Sequence, residues 1–461
     1  MKKAVNRMPM GYIFKHIGIC AGLLVSAIIV AVLSLCVVQG MVGSAGFVRE
    51  TRKASELFMQ VWEEAQTQRP ALIKELNATR IDYYSEAHMY QLSLGNPHAT
   101  FFRNALAPQA FFDPGRVDSN GFNNQITGLA ARLDGATPLA DNARYWNGFM
   151  IPLRTLGSII SYQGLLILNA VILISLIGWC SVVLYRLFDK KIAIVFVSTL
   201  FMMWTWVNFF GINYISNYFV MLTGVLATGW LVHKNRLLDW GAECFLIIGI
   251  ATAFFDLLIA PLMTLGFPLI VAVLYLLNSN IAPNANRIWR YAFAWTVAWL
   301  GGYVMFWGFK LILAPIIFDS FIGTDAAGRI VEYSLGLGGI SGYVREIAVA
   351  FASNIATMFG WSGYTAHAAL GSAGLFAAIG TILMIAPVAW VLWQAHKTSH
   401  ASLAAPSALL GIALLPVLRL MIVPYHSAEN AFFTFREFGV TVFALSVFCM
   451  YVYEHLQKAS D

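Results

Sequence analysis

The sequence predicts an all-α polytopic membrane protein with about ten transmembrane helices and a long extracytoplasmic first loop that contains amphipathic helices. Three observations lead there. Of 461 residues, 59% are hydrophobic and only 11% charged, whereas soluble domains carry roughly 25% charged residues. Apolar runs of about 20 residues recur, each long enough to cross a hydrocarbon layer of about 30 Å. Basic residues cluster at every second connection between those runs, as expected of cytoplasmic loops.

The runs place spans near residues 16–39, 158–185, 192–209, 214–232, 242–259, 261–278, 291–314, 371–394, 403–423 and 436–454. On one side lie Lys2, Lys3, Arg7 and Lys15, then Arg186, Lys190 and Lys191, then Lys234 and Arg236. Arg287, Arg290, Lys397 and Lys458 continue the series. That alternation puts both termini in the cytoplasm. The first run is too long and too well continued for a cleaved signal peptide.

Residues 1–461 read as one membrane domain with two long outer segments, 40–157 and 315–370. In the first, Leu57, Phe58, Val61, Trp62 and Ala65 recur at helical spacing. Pro70 breaks that helix and a second is expected after it. Amphipathic helices beside spans lie in the membrane interface. Asn96-Pro97, Asp113-Pro114-Gly115 and Asp118-Ser119-Asn120-Gly121 make the remainder turn-rich. In the second segment, Gly-rich residues 335–342 lead into a helix over Arg345–Phe359. An additional span there would invert every later loop and spoil the basic alternation. No internal repeat is visible, which weakens an inverted-repeat transporter.

Cys20, Cys36, Cys180, Cys244 and Cys449 all fall in apolar runs. They read as small core residues, not as a disulfide framework or a CxxC metal site. Asn77-Ala78-Thr79 fits a glycosylation acceptor, a pattern too common to carry weight. No solvated basic domain exists for a nucleic acid. Phosphate-cradling glycine loops, a dinucleotide fingerprint, HExxH and G-x-S-x-G are also missing.

The chemistry-bearing residues concentrate on the outer side. Asp82 and Glu86 sit four apart in Arg80-Ile81-Asp82-Tyr83-Tyr84-Ser85-Glu86-Ala87-His88, a spacing that brings two carboxylates to one helix face. The plain reading is a solvated loop helix. The functional one makes Asp82 a general base toward an acceptor hydroxyl, with Glu86 positioning the acceptor or sharing the proton. Tyr83, Tyr84 and His88 then offer sugar-stacking and hydrogen-bonding groups. Asp256 lies near the outer end of an apolar run, where a carboxylate normally faces a partner or a cavity.

His426, Glu429 and Arg436 crowd the last outer turn, and Arg419 sits a turn inside the preceding run. Guanidinium groups grip phosphate through a fork of donors, so Arg436, Arg419 and His426 are candidates for a leaving phosphate. Snorkelling to lipid head groups is the plain alternative. Lys310 and Arg154 are further phosphate or lipid-anchoring candidates. Arg144 and Trp146, in Arg144-Tyr145-Trp146-Asn147-Gly148, serve either sugar stacking or an aromatic belt.

These stretches resemble the GT-C superfamily of multi-spanning glycosyltransferases, within it a poorly characterised bacterial subgroup. The residues carrying the resemblance are Ile81–Ala87, Arg144–Gly148, Phe254–Leu262 and His426–Arg436. It implies a bacterial cytoplasmic-membrane enzyme that faces outward and takes a polyprenyl-phosphate sugar as donor. Transfer would invert the anomeric carbon, with Asp82 deprotonating a glycan or glycolipid acceptor. A divalent cation is a cofactor in some relatives and not in others. Glu86 stands where the family pattern has Asp, and Asn147 and Asn430 stand where it has His. The rival classes are a lipid-glycan flippase or transporter, and a glycan polymerase.

Overall fold

The computed structural model describes residues 10–65, 76–113, 124–137, 139–255, 259–279, 284–318, 328, 331, 333–334, 339–361, 370–397 and 403–460. Within these, seven helices are long and apolar enough to cross a membrane: Gly18–Met41, Tyr162–Leu187, Ile215–His233, Leu237–Phe255, Ala285–Leu313, Ala373–Lys397 and Ala431–Gln457. Each coincides with one of the runs expected from the sequence.

The other three expected runs form shorter or broken helices, for visible reasons. Lys190–Met202 spans 13 residues and ends where Trp204 takes a left-handed φ of 54°, followed by the 3-10 turn Thr205–Phe210. Leu262–Asn278 has 17 residues with Pro268 inside, which removes one backbone donor. At ~1.5 Å per residue it extends about 26 Å, and Phe267, Ile270, Ala272 and Val273 along it are fully enclosed by protein. The run at 403–423 breaks into Ser407–Ala413 and Leu415–Ile422, with Pro416 at the start of the second piece.

Lipid tails are as apolar as leucine, so packing and not burial from water holds the spans together. The closest approach joins Leu237–Phe255 to Ala285–Phe318 through reciprocal glycines. A Cβ at Gly249 would collide with the Trp299 carbonyl oxygen, and one at Gly302 would collide with that of Leu246. Any larger residue at either position pushes the two backbones apart.

The segment 40–157 contributes a helical cap: Ala45–Ala65, Tyr83–Leu94, Phe101–Leu106, Gln125–Leu133 and Met150–Gly157. The amphipathic pattern around Leu57–Ala65 is part of a 21-residue helix that buries Phe47, Ala54 and Phe58. Where turns alone were expected, Gln109–Phe111 pairs antiparallel with Leu139–Asp141, a two-stranded ribbon in register Gln109 to Asp141. Pro70 and the turns at 114–121 lie outside the described residues.

In the second outer segment, Gly339–Met358 is a helix that packs on Leu370–Lys397 and Pro424–Glu429 through Val349, Ala350, Ile355 and Ala356. It is not among the seven candidate spans. All five cysteines are free thiols.

Candidate functional site

Asp82 is not in the helix; it caps it. Its side chain accepts from Ser85 N at 3.0 Å and Ser85 Oγ at 2.6 Å, closing the N-terminus of Tyr83–Leu94. A cap of this kind stabilises a helix by about 1 kcal/mol. The carboxylate is 1% exposed and also accepts from the Tyr214 hydroxyl at 3.5 Å. Tyr214 stands immediately before the span Ile215–His233, so Asp82 meets the membrane domain at the N-terminal end of that span.

Glu86 points into the same interior and is fully buried. Oε2 accepts from the Tyr162 hydroxyl at 2.6 Å, and Oε1 accepts from Ile212 N at 2.7 Å. A Cβ at Gly211 would come within 2.8 Å of Oε1, so glycine there lets the loop close on the carboxylate. Burial raises the Glu86 pKa to about 7, against hydrogen bonds from Tyr162, Ile212 N and Asn213 N that favour the anion, and the nearby Asp82 charge raises it further. The two acids do converge, but Glu86 is an anchor between cap and spans.

Arg436 completes this cluster from the last span. It is 1% exposed, with its guanidinium 5.0 Å from the Tyr214 ring centre and 4.7 Å from that of Phe435. It donates to the carbonyls of Phe432 at 3.0 Å and Ala78 at 3.4 Å. Among the described residues its Nε has no partner, and no carboxylate forms an ion pair with it. A desolvated cation held by π faces and carbonyl dipoles keeps most of its field. Tyr214 therefore stands between a buried carboxylate on its hydroxyl and a buried guanidinium on its face.

A second charged group adjoins it. Arg419 pairs with Glu437 at 2.8 Å, both nearly buried. Glu437 also accepts from Leu262 N at 3.1 Å, tying the last span to the start of Leu262–Asn278. Arg419 thus has a carboxylate of its own, which sets it apart from Arg436. His426 packs edge-on to Tyr333 at 4.8 Å and lies 6.1 Å from Phe433. Phe433 in turn lies 5.7 Å from Tyr214, linking the two groups. Burial, and then the Arg419 charge, push the His426 pKa down to about 3, so its imidazole is neutral.

The remaining sequence candidates have other engagements. Trp146 is a core side chain: it stacks on Phe306 at 4.6 Å and donates to the Phe306 carbonyl at 2.9 Å. Lys310 donates to the Leu106 carbonyl and lies 5.0 Å over the Trp146 ring. Arg154 is buried and donates to the carbonyls of Ser93 at 2.8 Å and Leu92 at 3.3 Å. It closes the C-terminal end of Tyr83–Leu94, and burial brings its pKa down to about 10.

His88 turns into the cap, with Nδ1 2.9 Å from Gln125 Oε1 and Nε2 accepting from Asn142 Nδ2 at 3.0 Å. Tyr83 is half-buried, its ring centre 5.1 Å from that of Phe58, and burial raises its pKa to about 12. Tyr84 and Arg144 are half-buried and Glu429 is exposed. Asn77 is buried, and its Oδ1 accepts from Arg80 Nε at 2.9 Å, which conflicts with an open glycan acceptor. Asp256 lies outside the described residues.

Tyr162, Tyr214 and Glu437 were missed from sequence. Glu437 had a usable signal: like Asp256, it is a carboxylate inside an apolar run. The tyrosines had none, because aromatic residues at span ends are ordinary belt residues.

Beside the cluster runs an apolar cavity of about 540 Å³, lined by Met89, Phe149, Leu165, Ile212, Phe219 and Phe255 among others. Met89 follows Glu86 on the same helix, and the Ile212 amide binds Glu86. Among the described residues, no group of three or more His, Cys, Asp or Glu side chains is placed to hold a metal ion. No family model matches the chain, and neither a curated protein nor a solved structure is detectably similar to it.

Proposed function

We propose that this protein is an inverting, outward-facing membrane glycosyltransferase of the GT-C type. It moves a sugar from a polyprenyl-phosphate donor to a glycan or glycolipid acceptor. In this reading the chain crosses a bacterial cytoplasmic membrane ten times, with the three short helices completing the count and both termini in the cytoplasm. The observation that carries the reading is the convergence of Asp82 and Arg436 on Tyr214, next to an apolar cavity.

Asp82 takes the proton of the acceptor hydroxyl as that oxygen attacks the anomeric carbon. The bond from that carbon to the phosphate oxygen breaks, and polyprenyl phosphate departs with the electron pair. Arg436 stabilises the negative charge that grows on the leaving phosphate, an interaction strongest at the transition state. Neutral His426 faces the same region and offers a hydrogen bond without a competing charge. Glu86 holds the cap on the spans and takes no proton in the reaction.

Transfer from a radiolabelled polyprenyl-phosphate hexose panel in isolated membranes tests this. Asp82→Asn is expected to lower turnover by about 10²–10⁴-fold at unchanged donor affinity. Arg436→Ala is expected to weaken donor binding. Turnover by Asp82→Asn equal to wild type would remove the aspartate from the base role. One observation favours a carrier: the part-buried His16–Glu243 pair between the first span and Leu237–Phe255. Movement of lipid-linked glycan across proteoliposomes without any transfer product would select that reading.

A further inference from the structure

The span Ile215–His233 begins beside Asp82 and Tyr214 and ends about 28 Å away, at 19 residues of ~1.5 Å rise. Between this helix and Leu237–Phe255, a groove of about 990 Å³ runs from Val220 to that far end, at the top of the size range of small-molecule sites. Ala227, Ile247 and Ala251 line its apolar wall, Trp230 and Trp240 flank it, and Lys234 and Arg236 stand at its mouth.

The mouth is built rather than incidental. The two spans join through a tight turn in which Asn235 takes a left-handed φ of 54°, a conformation that Asn tolerates better than most residues. Arg236 N donates to the Leu231 carbonyl at 2.8 Å, and the Tyr275 hydroxyl donates to Asn235 Oδ1 at 3.1 Å. This turn holds Lys234 and Arg236 on either side of Asn235 at the groove's entrance. Among the described residues the Lys234 ammonium has no partner. Arg236 has only Asp239, at 3.7 Å and exposed. Farther along the wall, Glu243 is paired with His16.

We propose that this groove binds one anionic glycerophospholipid, with its phosphate between Lys234 and Arg236 and an acyl chain along Ala227, Ile247 and Ala251. Charge complementarity selects the head group, and the small residues make room for the chain. The tryptophans sit at head-group depth, where amphipathic rings are favoured. Interfacial cations attract anionic lipid, and the fixed turn converts that general attraction into a site.

The test uses the full-length protein in nanodiscs of equimolar phosphatidylglycerol and phosphatidylcholine, with retained lipid counted by native mass spectrometry. Wild type is expected to retain one phosphatidylglycerol with a preference on the order of tenfold. Lys234→Gln with Arg236→Gln is expected to abolish the preference. Ala227→Phe, which fills the groove and leaves both charges, is expected to lower retention of the lipid. Lys190→Gln with Lys191→Gln removes the same charge outside the groove and is expected to change nothing. Wild type without preference, or equal loss in the Lys190 and Lys191 variant, would reduce the effect to surface charge. Full retention by Ala227→Phe would overturn the groove as the site.

Discussion

Replacing Glu86 by Gln should remove a pH dependence from the stability of this protein. In the folded chain the Glu86 pKa is raised from 4.5 to about 7, so between these values the folded state holds a proton that the unfolded state releases. Stability is then greatest below pH 4.5 and falls as pH rises through 7. At about 1.4 kcal/mol per pH unit, the loss amounts to about 3 kcal/mol, undiluted by solvent because the group is fully buried. The glutamine side chain keeps an acceptor for Ile212 N–H and places an amide donor next to the Tyr162 hydroxyl, so the fold survives. Thermal unfolding in detergent between pH 5 and 8 should show the wild-type midpoint falling by a few degrees. The Glu86→Gln midpoint should stay flat by comparison. Parallel pH profiles for the two proteins would refute the assignment of a raised pKa to this carboxyl.

Substitutions at Arg419, Glu437 and Trp146 probe the packing around the site. Arg419→Met should cost about 3–5 kcal/mol by leaving the buried Glu437 carboxylate without its guanidinium, and adding Glu437→Leu should restore much of it; denaturation of both single variants and the double variant checks this. Trp146→Ala should cost about 3–5 kcal/mol. Trp146→Phe should cost only about 1 kcal/mol for the lost hydrogen bond to the Phe306 carbonyl, read as the difference in unfolding midpoint.

The lipid-crossing helices were legible because a bilayer imposes length and composition on them, and both are local properties of the sequence. Leu262–Asn278 was legible as a span-like run, but its shortness follows from Pro268 and from neighbours that enclose it. Within the site, Asp82 stood out as one of two carboxylates four apart in the first long loop, and Arg436 as a charge at the mouth of the last apolar run. Their common partner Tyr214 did not, since nothing local separates a bridging tyrosine from a belt tyrosine. Arg154, Lys310 and Trp146 carried the residue types of a phosphate or sugar site, yet they close a helix end, bind a backbone carbonyl and fill a core. Side-chain chemistry nominates candidates, and only the path of the backbone decides which of them face one another.

The order in which the chain is synthesised adds a consequence. Asp82 and Glu86 are made early, but Tyr162 follows Glu86 by 76 positions and Ile212 by 126. The carbonyl of Ala78 waits 358 positions for Arg436. The cap therefore spends most of translation without Arg436, and the cluster closes only after the final helix enters the bilayer. Assembly of the buried cluster around Tyr214 and completion of membrane insertion become a single event.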